Sequence, residues 1–489
     1  MEPAPRFMEI FRHPTNLRSL VSKEFRDLKT NLPGPKGWPV IGSALLLKNV
    51  NTSKDSYRVF SNIGKAYDAP LFSLWFGPTK LVIYVKEAKY IERLLNHRAL
   101  SWKSYFYVDI RKITKNAVFT RKGEKWERLR KPLMHFTKPK NVENFHEKIK
   151  NKIPIFCKRI ESKCGTGSFN VTTMCKAWAL EVFVYTSFDF DNIYTEEQLE
   201  RMVHLGEKYL DHAFTDMMSL KANLGFKTFN EANCDRDLKV HADRFIELRK
   251  AQLIEQGRDL REVIDNPENY IDVVLQVGEE EGLPEGHLGL MLVDVVFGAL
   301  DSPGTVMMTM MLFLAMEPEY QEKLYREQID YFGDSLRPPE EDDLKNLPYL
   351  DMVMKEAIRL CAPPAVSRKA EEDIEIDGYH LPKGAVVAFS IDTSLNDPKY
   401  WEKPNAFYPD HFLPEAAAKR EKGAYLPFAT GPKMCPGQLY TYPVVKTALS
   451  VAVRQFEFET KVKYSDIEYK ILLMKEVVDP QVSIKKRNP

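Results

Sequence analysis

The sequence predicts a mainly α fold with a minor β portion, and three features of the text carry that expectation. Helical apolar spacing dominates from the high eighties to about residue 370, as in "PEYQEKLYREQIDYFG" and "NLPYLDMVMKEAIRL". "PLFSLWFGPTKLVIYV" (70–85) alternates β-branched and aromatic residues around a Gly-Pro turn and reads as a strand pair. Between 371 and 412 the text shortens to β-like pieces, "IEIDGYHLPKGAVVAFS", and then an aromatic, Pro-rich coil. A last helix starts near Gly437, and "DPQVSIKK" closes the chain as a strand.

The elements follow in order. Residues 1–31 hold six Arg/Lys but also Glu2, Glu9, Glu24 and Asp27, and no apolar run long enough for a signal peptide or a membrane span. They read as a polar leader without a transmembrane anchor. "LPGPKGWPVIGS" (32–43) is extended and turn-rich and separates the leader from a single folded body, 32–489. With 44% hydrophobic and 28% charged residues the body has the composition of a globular protein. Its 70 Lys+Arg against 69 Asp+Glu give no reason to expect a nucleic-acid partner. The six cysteines, Cys157, Cys164, Cys175, Cys234, Cys361 and Cys435, form no C-x-x-C pair, which points away from disulfides and zinc and toward a reducing compartment.

"LGLMLVDVVFGALDSPGTVMMTMMLFLA" (289–316) is an apolar core helix, with Met307, Met308, Met310 and Met311 as packing. "YLPFATGPKMCPGQLY" (425–440) is a stiff loop ahead of a helix. Cys435 sits where backbone N–H groups and the helix dipole stabilise a thiolate. Gly431 and Gly437 let the backbone approach a large flat ligand, while Pro427, Pro432 and Pro436 restrict the loop. From these residues alone Cys435 is an axial iron ligand, a nucleophile or a buried small apolar side chain.

"FATGPKMCPG" resembles the haem-binding loop of cytochromes P-450, F-x-x-G-x-x-x-C-x-G, with Phe428, Gly431, Cys435 and Gly437 in its four fixed places. Four further matches stand in the right order. "WERLR" puts Trp126 and Arg130 on one helix face, "KEAIRL" supplies the E-x-x-R pair Glu356 and Arg359, "FYPDHF" matches the aromatic segment, and "LPGPKGWPVIG" matches the hinge. "GEKWERLRKPLMHF" and "DLKNLPYLDMVMKEAIRL" are most similar to the animal and insect clan of fatty-acid ω-hydroxylases.

The resemblance implies a P-450 fold, a large helical body plus a small β-rich subdomain, with haem b between the central and proximal helices. It makes Cys435 the axial thiolate on iron, and Trp126, Arg130, Arg368 and Lys433 partners of the haem propionates. It makes Glu356, Arg359 and His411 a structural ion-pair cluster, and Asp301 and Ser302 the proton-relaying pair. The activity implied is a monooxygenase acting on an apolar lipid-like or xenobiotic substrate. Its electrons come from NADPH through NADPH–cytochrome P-450 reductase, or from an adrenodoxin-like ferredoxin if mitochondrial. Lys122, Lys125 and Arg128 form a basic patch for such a partner. Analogy places the chain on the cytoplasmic face of the endoplasmic reticulum membrane, and the missing anchor leaves a mitochondrial or soluble alternative. Peripheral membrane contact would fall in the 205–230 region, and substrate contacts in 104–113, Phe297, Ala299 and "APPAV" (362–366).

Several positions depart from the pattern. Lys433 stands where Arg is usual and lacks the fork geometry. His411 replaces an Arg, so a weaker third member is expected beside Glu356. Gly298 occupies the place of a glutamate that bonds covalently to haem in some relatives. "GALDSPG" (298–304) keeps Asp301 but has Ser302 for threonine, Ala299 for glycine, and Pro303 in the helix interior. These departures raise two alternatives, a haem-thiolate isomerase or dehydratase without O2 activation, and a non-catalytic haem- or lipid-binding pseudoenzyme.

Overall fold

The computed structural model describes residues 30–35, 42–76, 80–115, 117–223 and 231–487. Most of the leader, 1–29, and positions 36–41 of the hinge lie outside the described residues.

The predicted strand pair forms. Strands β1 (Leu71–Phe76) and β2 (Lys80–Val85) run antiparallel with Leu71 opposite Val85. Successive side chains on a strand point to opposite faces. Phe72, Leu74, Phe76, Val82 and Tyr84 therefore join the main helical core, while Leu71, Leu81, Ile83 and Val85 join a second, smaller one. Three more strands complete the sheet: β3 (Trp102–Lys103), β4 (Ala365–Lys369) and β5 (Val386–Ser390). The order is β1-β2-β5-β4-β3, with only the β2–β5 pair parallel. In this register Lys103 lies directly opposite Arg368.

The helices that matter for the site are α1 (Gly123–Phe136), α2 (Thr172–Phe188), α3 (Glu196–Met218), α4 (Glu285–Met316), α5 (Pro348–Cys361) and α6 (Gln438–Gln455). α4 runs through the middle, flanked by α2, α5, α6 and the helix Glu231–Glu255. It is long and apolar enough to cross a bilayer, but 78% of its most apolar window is buried inside the protein. Met307, Met308, Met310 and Met311 are fully buried, as core packing requires.

Two sequence oddities of α4 have structural readings. The helix continues through Pro303. A proline has no N–H, so the carbonyl one turn back, that of Ala299, receives no helical hydrogen bond from this position. Gly304 marks the tightest approach of α2, because a Cβ there would lie 2.7 Å from the Lys176 Cα. A Cβ at Gly298, by contrast, would meet nothing within 4 Å.

These two glycines give opposite expectations. Gly304→Ala should destabilise the fold by about 1–3 kcal/mol through overpacking. Gly298→Ala should be neutral or stabilising by up to about 1 kcal/mol through helix propensity. Urea unfolding of both variants followed by far-UV circular dichroism checks the contrast, and equal effects would contradict this packing.

Candidate active site

A cavity of about 380 Å³ lies between α4 and the loop before α6. Between Leu288 and Ala315 every residue of α4 is buried except Asp294, Val295, Gly298, Ala299 and Ser302. All five line the cavity, so their accessible surface faces the interior of the protein and not bulk water. This i, i+1, i+4, i+5, i+8 stripe defines one wall. The anticipated lining residues Phe106, Tyr107, Ile110, Phe297 and Pro363–Val366 complete an apolar enclosure.

The opposite wall is the loop 427–437, which brings Phe428 and Cys435 to the cavity. The loop is closed on itself: the Cys435 amide donates to the Phe428 carbonyl at 2.9 Å, and Met434 N donates to Gly431 O at 3.0 Å. Gly437 is the N-cap of α6, and the N–H groups of Gly437 and Gln438 both point at the Cys435 sulfur. Burial pushes this thiol up, against the pull of those N–H groups and of Arg130 and Lys103. A thiolate here therefore needs a further cation.

Four cationic side chains line the same cavity: Lys103, Arg130, Arg368 and Lys433. Arg130 donates to the Met434 carbonyl and so ties α1 to the cysteine loop. Arg368 is 2% exposed, yet among the described residues its one hydrogen-bond acceptor is the Ser367 carbonyl at 3.0 Å. The Lys433 ammonium rests 3.2 Å from the centre of the Trp126 ring. Burial and the charges of Arg368 and Arg130 push Lys433 down to about 7. Burial, Arg368 and Lys433 push Lys103 well below the usual lysine range. Like charges directly opposite on paired strands, as Lys103 and Arg368 are, destabilise a sheet. Among the described residues the cavity's only carboxylate is Asp294. Together these groups make the cavity wall beside Cys435 strongly cationic.

Beneath the loop, the Tyr425 hydroxyl donates to the Lys355 carbonyl on α5 at 3.0 Å. The neighbouring Glu356 accepts from Arg359 Nε and Nη2, both at 2.8 Å, from Tyr408 N at 2.8 Å and from His411 Nδ1 at 3.2 Å. Arg359 spends its other donors on the carbonyls of Leu395, Pro404 and Ala406. Burial alone would raise Glu356, but Arg359 and His411 outweigh it and hold the carboxyl below its usual range. Both partners are fully satisfied, so the weakness expected of His411 is not present in the geometry.

Residues 32–482 match the family described as Cytochrome P450. The chain belongs to that family. It is similar to cytochrome P450 4c21 of Blattella germanica, 27% identical over 487 residues, which is 96% of this chain and 95% of the relative. It is also similar to cytochrome P450 4V2 of Homo sapiens (28% over 458 residues, 88% and 85% of the two chains) and cytochrome P450 4F6 of Rattus norvegicus (27% over 445 residues, 85% and 80%). P450 proteins bind haem through a cysteine thiolate and, with electrons from a redox partner, insert one atom of dioxygen into apolar substrates. This chain is such a haem-thiolate monooxygenase. The residues present in the P450 cavity fit the group: a thiol aimed inward, cations without carboxylate partners, and apolar walls.

Two expected roles need correction. Gly431 does not line the P450 cavity. Its φ of +79° and a would-be Cβ 2.7 Å from the Leu95 carbonyl explain the glycine as a tight turn against the β-rich part, not as room for a porphyrin. Asp301 is fully buried and off the cavity stripe. Its carboxylate faces α2, where the Lys176 ammonium donates to Asp301 at 2.8 Å, Glu207 at 2.9 Å and Glu476 at 2.5 Å. Met474 N and Thr305 Oγ1 add bonds to Asp301 and Glu476. Lys470 stands 3.4 Å from Glu476, so two ammonium groups face three carboxylates. Burial and the neighbouring Glu476 accordingly push Asp301 up despite Lys176. Ser302, next in sequence, does reach the cavity.

Sequence reasoning missed Lys103, Lys176, Glu476 and Asp294. Only Asp294 left a signal, as an acid two helical steps of four before Ser302 in an apolar run.

Replacing Lys176 by Met removes the cation that three carboxylates share, at a cost of about 3–5 kcal/mol. The sign of its pH dependence follows. Asp301, already pushed up by burial and by Glu476, would then hold its proton more tightly still in the folded state than in the unfolded chain. The folded state binds the extra protons, so the loss is largest above pH 7 and shrinks as pH falls toward 5. Thermal melts of wild type and Lys176→Met at both pH values test this, and a loss that grows on acidification would refute it.

Proposed function

We propose that Cys435 is the axial thiolate of the haem and that Arg130, Arg368, Lys433 and Lys103 hold its propionates. The observation that carries this reading is the set of four cations, without a carboxylate at ion-pair distance among the described residues, beside an inward-facing thiol. Two carboxylates of one ligand would relieve their mutual repulsion. Bound haem supplies dioxygen activation, which the side chains do not. The chain's own part is to seat the ligands and to keep water out with Phe106, Phe297 and Val306. It also presents a hydroxyl: Ser302 Oγ on the cavity stripe can pass a proton inward, next to the Ala299 carbonyl that Pro303 leaves without a helical donor. Asp301 would supply that hydroxyl only by leaving Lys176, so its role here is that of a proton store behind the wall.

Residues 32–489 act as one catalytic domain with 1–31 as a leader, a division supported by the family match beginning at 32. NADPH–cytochrome P-450 reductase is the donor we favour, because the sequence has no G-x-G-x-x-G of its own. Within the basic patch, Lys125 and Arg128 are paired with Glu281 and Glu280, which weakens it as a docking charge. Operation at the endoplasmic reticulum membrane is supported by the exposed Leu45 and Leu46 (38% and 45%), whose turn packs near the helix Leu220–Asn223. The rest of the region expected to touch lipid, 224–230, lies outside the described residues.

Reduction of the purified protein under carbon monoxide should give the Soret band of thiolate-ligated haem, and Cys435→Ser should lose it while keeping the fold. With no glutamate at Gly298, the haem should extract completely into acidified organic solvent. Reductase and an apolar substrate should then increase NADPH oxidation. A wild-type band absent in haem-loaded protein would overturn the assignment of Cys435.

A further inference from the structure

The cluster behind α4 holds one negative charge too many. Fully ionised, the carboxylates of Asp301, Glu207 and Glu476 face two ammonium groups, Lys176 and Lys470. Among the described residues no further cation stands at ion-pair distance. Lys475 is spent on Asp392, and Cys361 on α5, pushed up to about 12 by burial, stays a thiol. Glu207 and Lys470, each 24% exposed, put the rim of the cluster in contact with water. Asp301, Glu476 and Lys176 are sealed behind them, where an uncompensated charge is costly.

Asp301 and Glu476 meet at one nitrogen. Lys176 Nζ lies 2.8 Å from Asp301 Oδ1 and 2.5 Å from Glu476 Oε1, and the two carboxyl groups stand within hydrogen-bond reach of each other. Like charges so close and so deep do not both ionise readily. Glu476 Oε1 is well supplied, because the Thr305 hydroxyl also donates to it at 2.9 Å. Oε2 is not. It is buried and accepts no hydrogen bond among the described residues, with Lys470 Nζ 3.4 Å away. An O–H on Asp301 is the donor that this oxygen lacks. Burial pushes Asp301 up, and Glu476 adds to that against the pull of Lys176. Burial would raise Glu476 too, but Lys176, Lys470 and Asp301 hold it down.

We propose that Asp301 and Glu476 share one proton at neutral pH, carried on Asp301 and bonded to Glu476 Oε2, and that Glu476 is the positioning residue that keeps it there. Its use in the reaction rests on the monooxygenase reading of the cavity. On leaving Lys176, Asp301 gives this proton to Ser302 Oγ, whose own proton passes into the cavity. Asp301 then returns to Lys176 as a carboxylate until water at the Glu207 and Lys470 rim protonates it again. Without Glu476, Asp301 is ionised at neutral pH and has no proton to give.

The test uses full-length, haem-loaded wild type, Glu476→Gln and Asp301→Asn, followed by infrared spectroscopy through a pH titration. Glu476→Gln leaves two carboxylates for two ammonium groups, so the cluster stays neutral and the fold is kept. Wild type should show the C=O stretch of a protonated carboxyl that disappears as pH rises through about 7. Each single variant should lose that same band at neutral pH, because one proton serves both acids. Bands of Asp294 and of the haem propionates stay in all three proteins and are told apart in this way. With reductase and an apolar substrate, Glu476→Gln should divert about threefold more NADPH to hydrogen peroxide at neutral pH, and acidification should reverse it. A band lost in Asp301→Asn but kept in Glu476→Gln overturns the shared proton, and so does a set of bands unchanged in both. A wild type without the thiolate band under carbon monoxide overturns the haem reading, while the infrared result still decides the shared proton.

Discussion

One ammonium group binds three distant parts of this chain together. Lys176 of α2 donates all three of its N–H bonds to carboxylates, from Asp301 on α4, Glu207 on α3 and Glu476 near the C-terminus. Lys176, Asp301 and Glu476 are fully buried. An unpaired charge at that depth would cost several kcal/mol, so none of these three can move alone. The bond requires α2 to lie against α4 closely enough that only a glycine fits at 304. It thereby sets the rotation of α4 about its axis. With Asp301 turned toward α2, Ser302, about 100° further round the helix, is brought to the cavity.

That rotation explains how one helix serves two electrostatic regimes. Behind it, carboxylates and ammonium groups neutralise one another in a closed cluster. In front of it, four cations line the cavity: Lys103, Arg130, Arg368 and Lys433. The sheet adds to this by placing Lys103 opposite Arg368, like charges that repel one another. Burial magnifies each charge through the low local dielectric.

Much of this was legible in the sequence where local chemistry decides it. The cysteine loop shows itself through closely spaced Gly and Pro around one thiol, and Glu356 and Arg359 lie one helical turn apart whatever the tertiary fold. The strand pair is visible in its alternation. What was not legible depends on long-range placement. Lys103 is half of a two-residue strand, and only its pairing with β4 brings it to Arg368. Glu476 meets Lys176 across 300 residues. The direction of Asp301 could not be read from α4 alone, because Asp294 and Asp301 are seven residues apart and an ideal helix places them close together on its surface. Gly431 was recognised as needed, but its reason is the Leu95 carbonyl, far away in sequence.

The replacement of arginine by His411 shows how such a departure is absorbed. A third guanidinium at that position would bring its charge to Glu356, whose acceptor sites Arg359, Tyr408 and His411 already fill. The charge is delivered from elsewhere. Arg420 donates to the His411 carbonyl and stacks 3.9 Å from the centre of the Trp401 ring, while the Arg359 guanidinium lies 5.0 Å from the same centre. His411 meets that ring edge-on at 5.1 Å. Trp401, buried and donating its own N–H to the Ser394 carbonyl at 3.0 Å, thus holds two cations near one carboxylate without contact between them. An imidazole between Glu356 and Arg420 fits here, because a third guanidinium would be repelled by Arg359 and by Arg420.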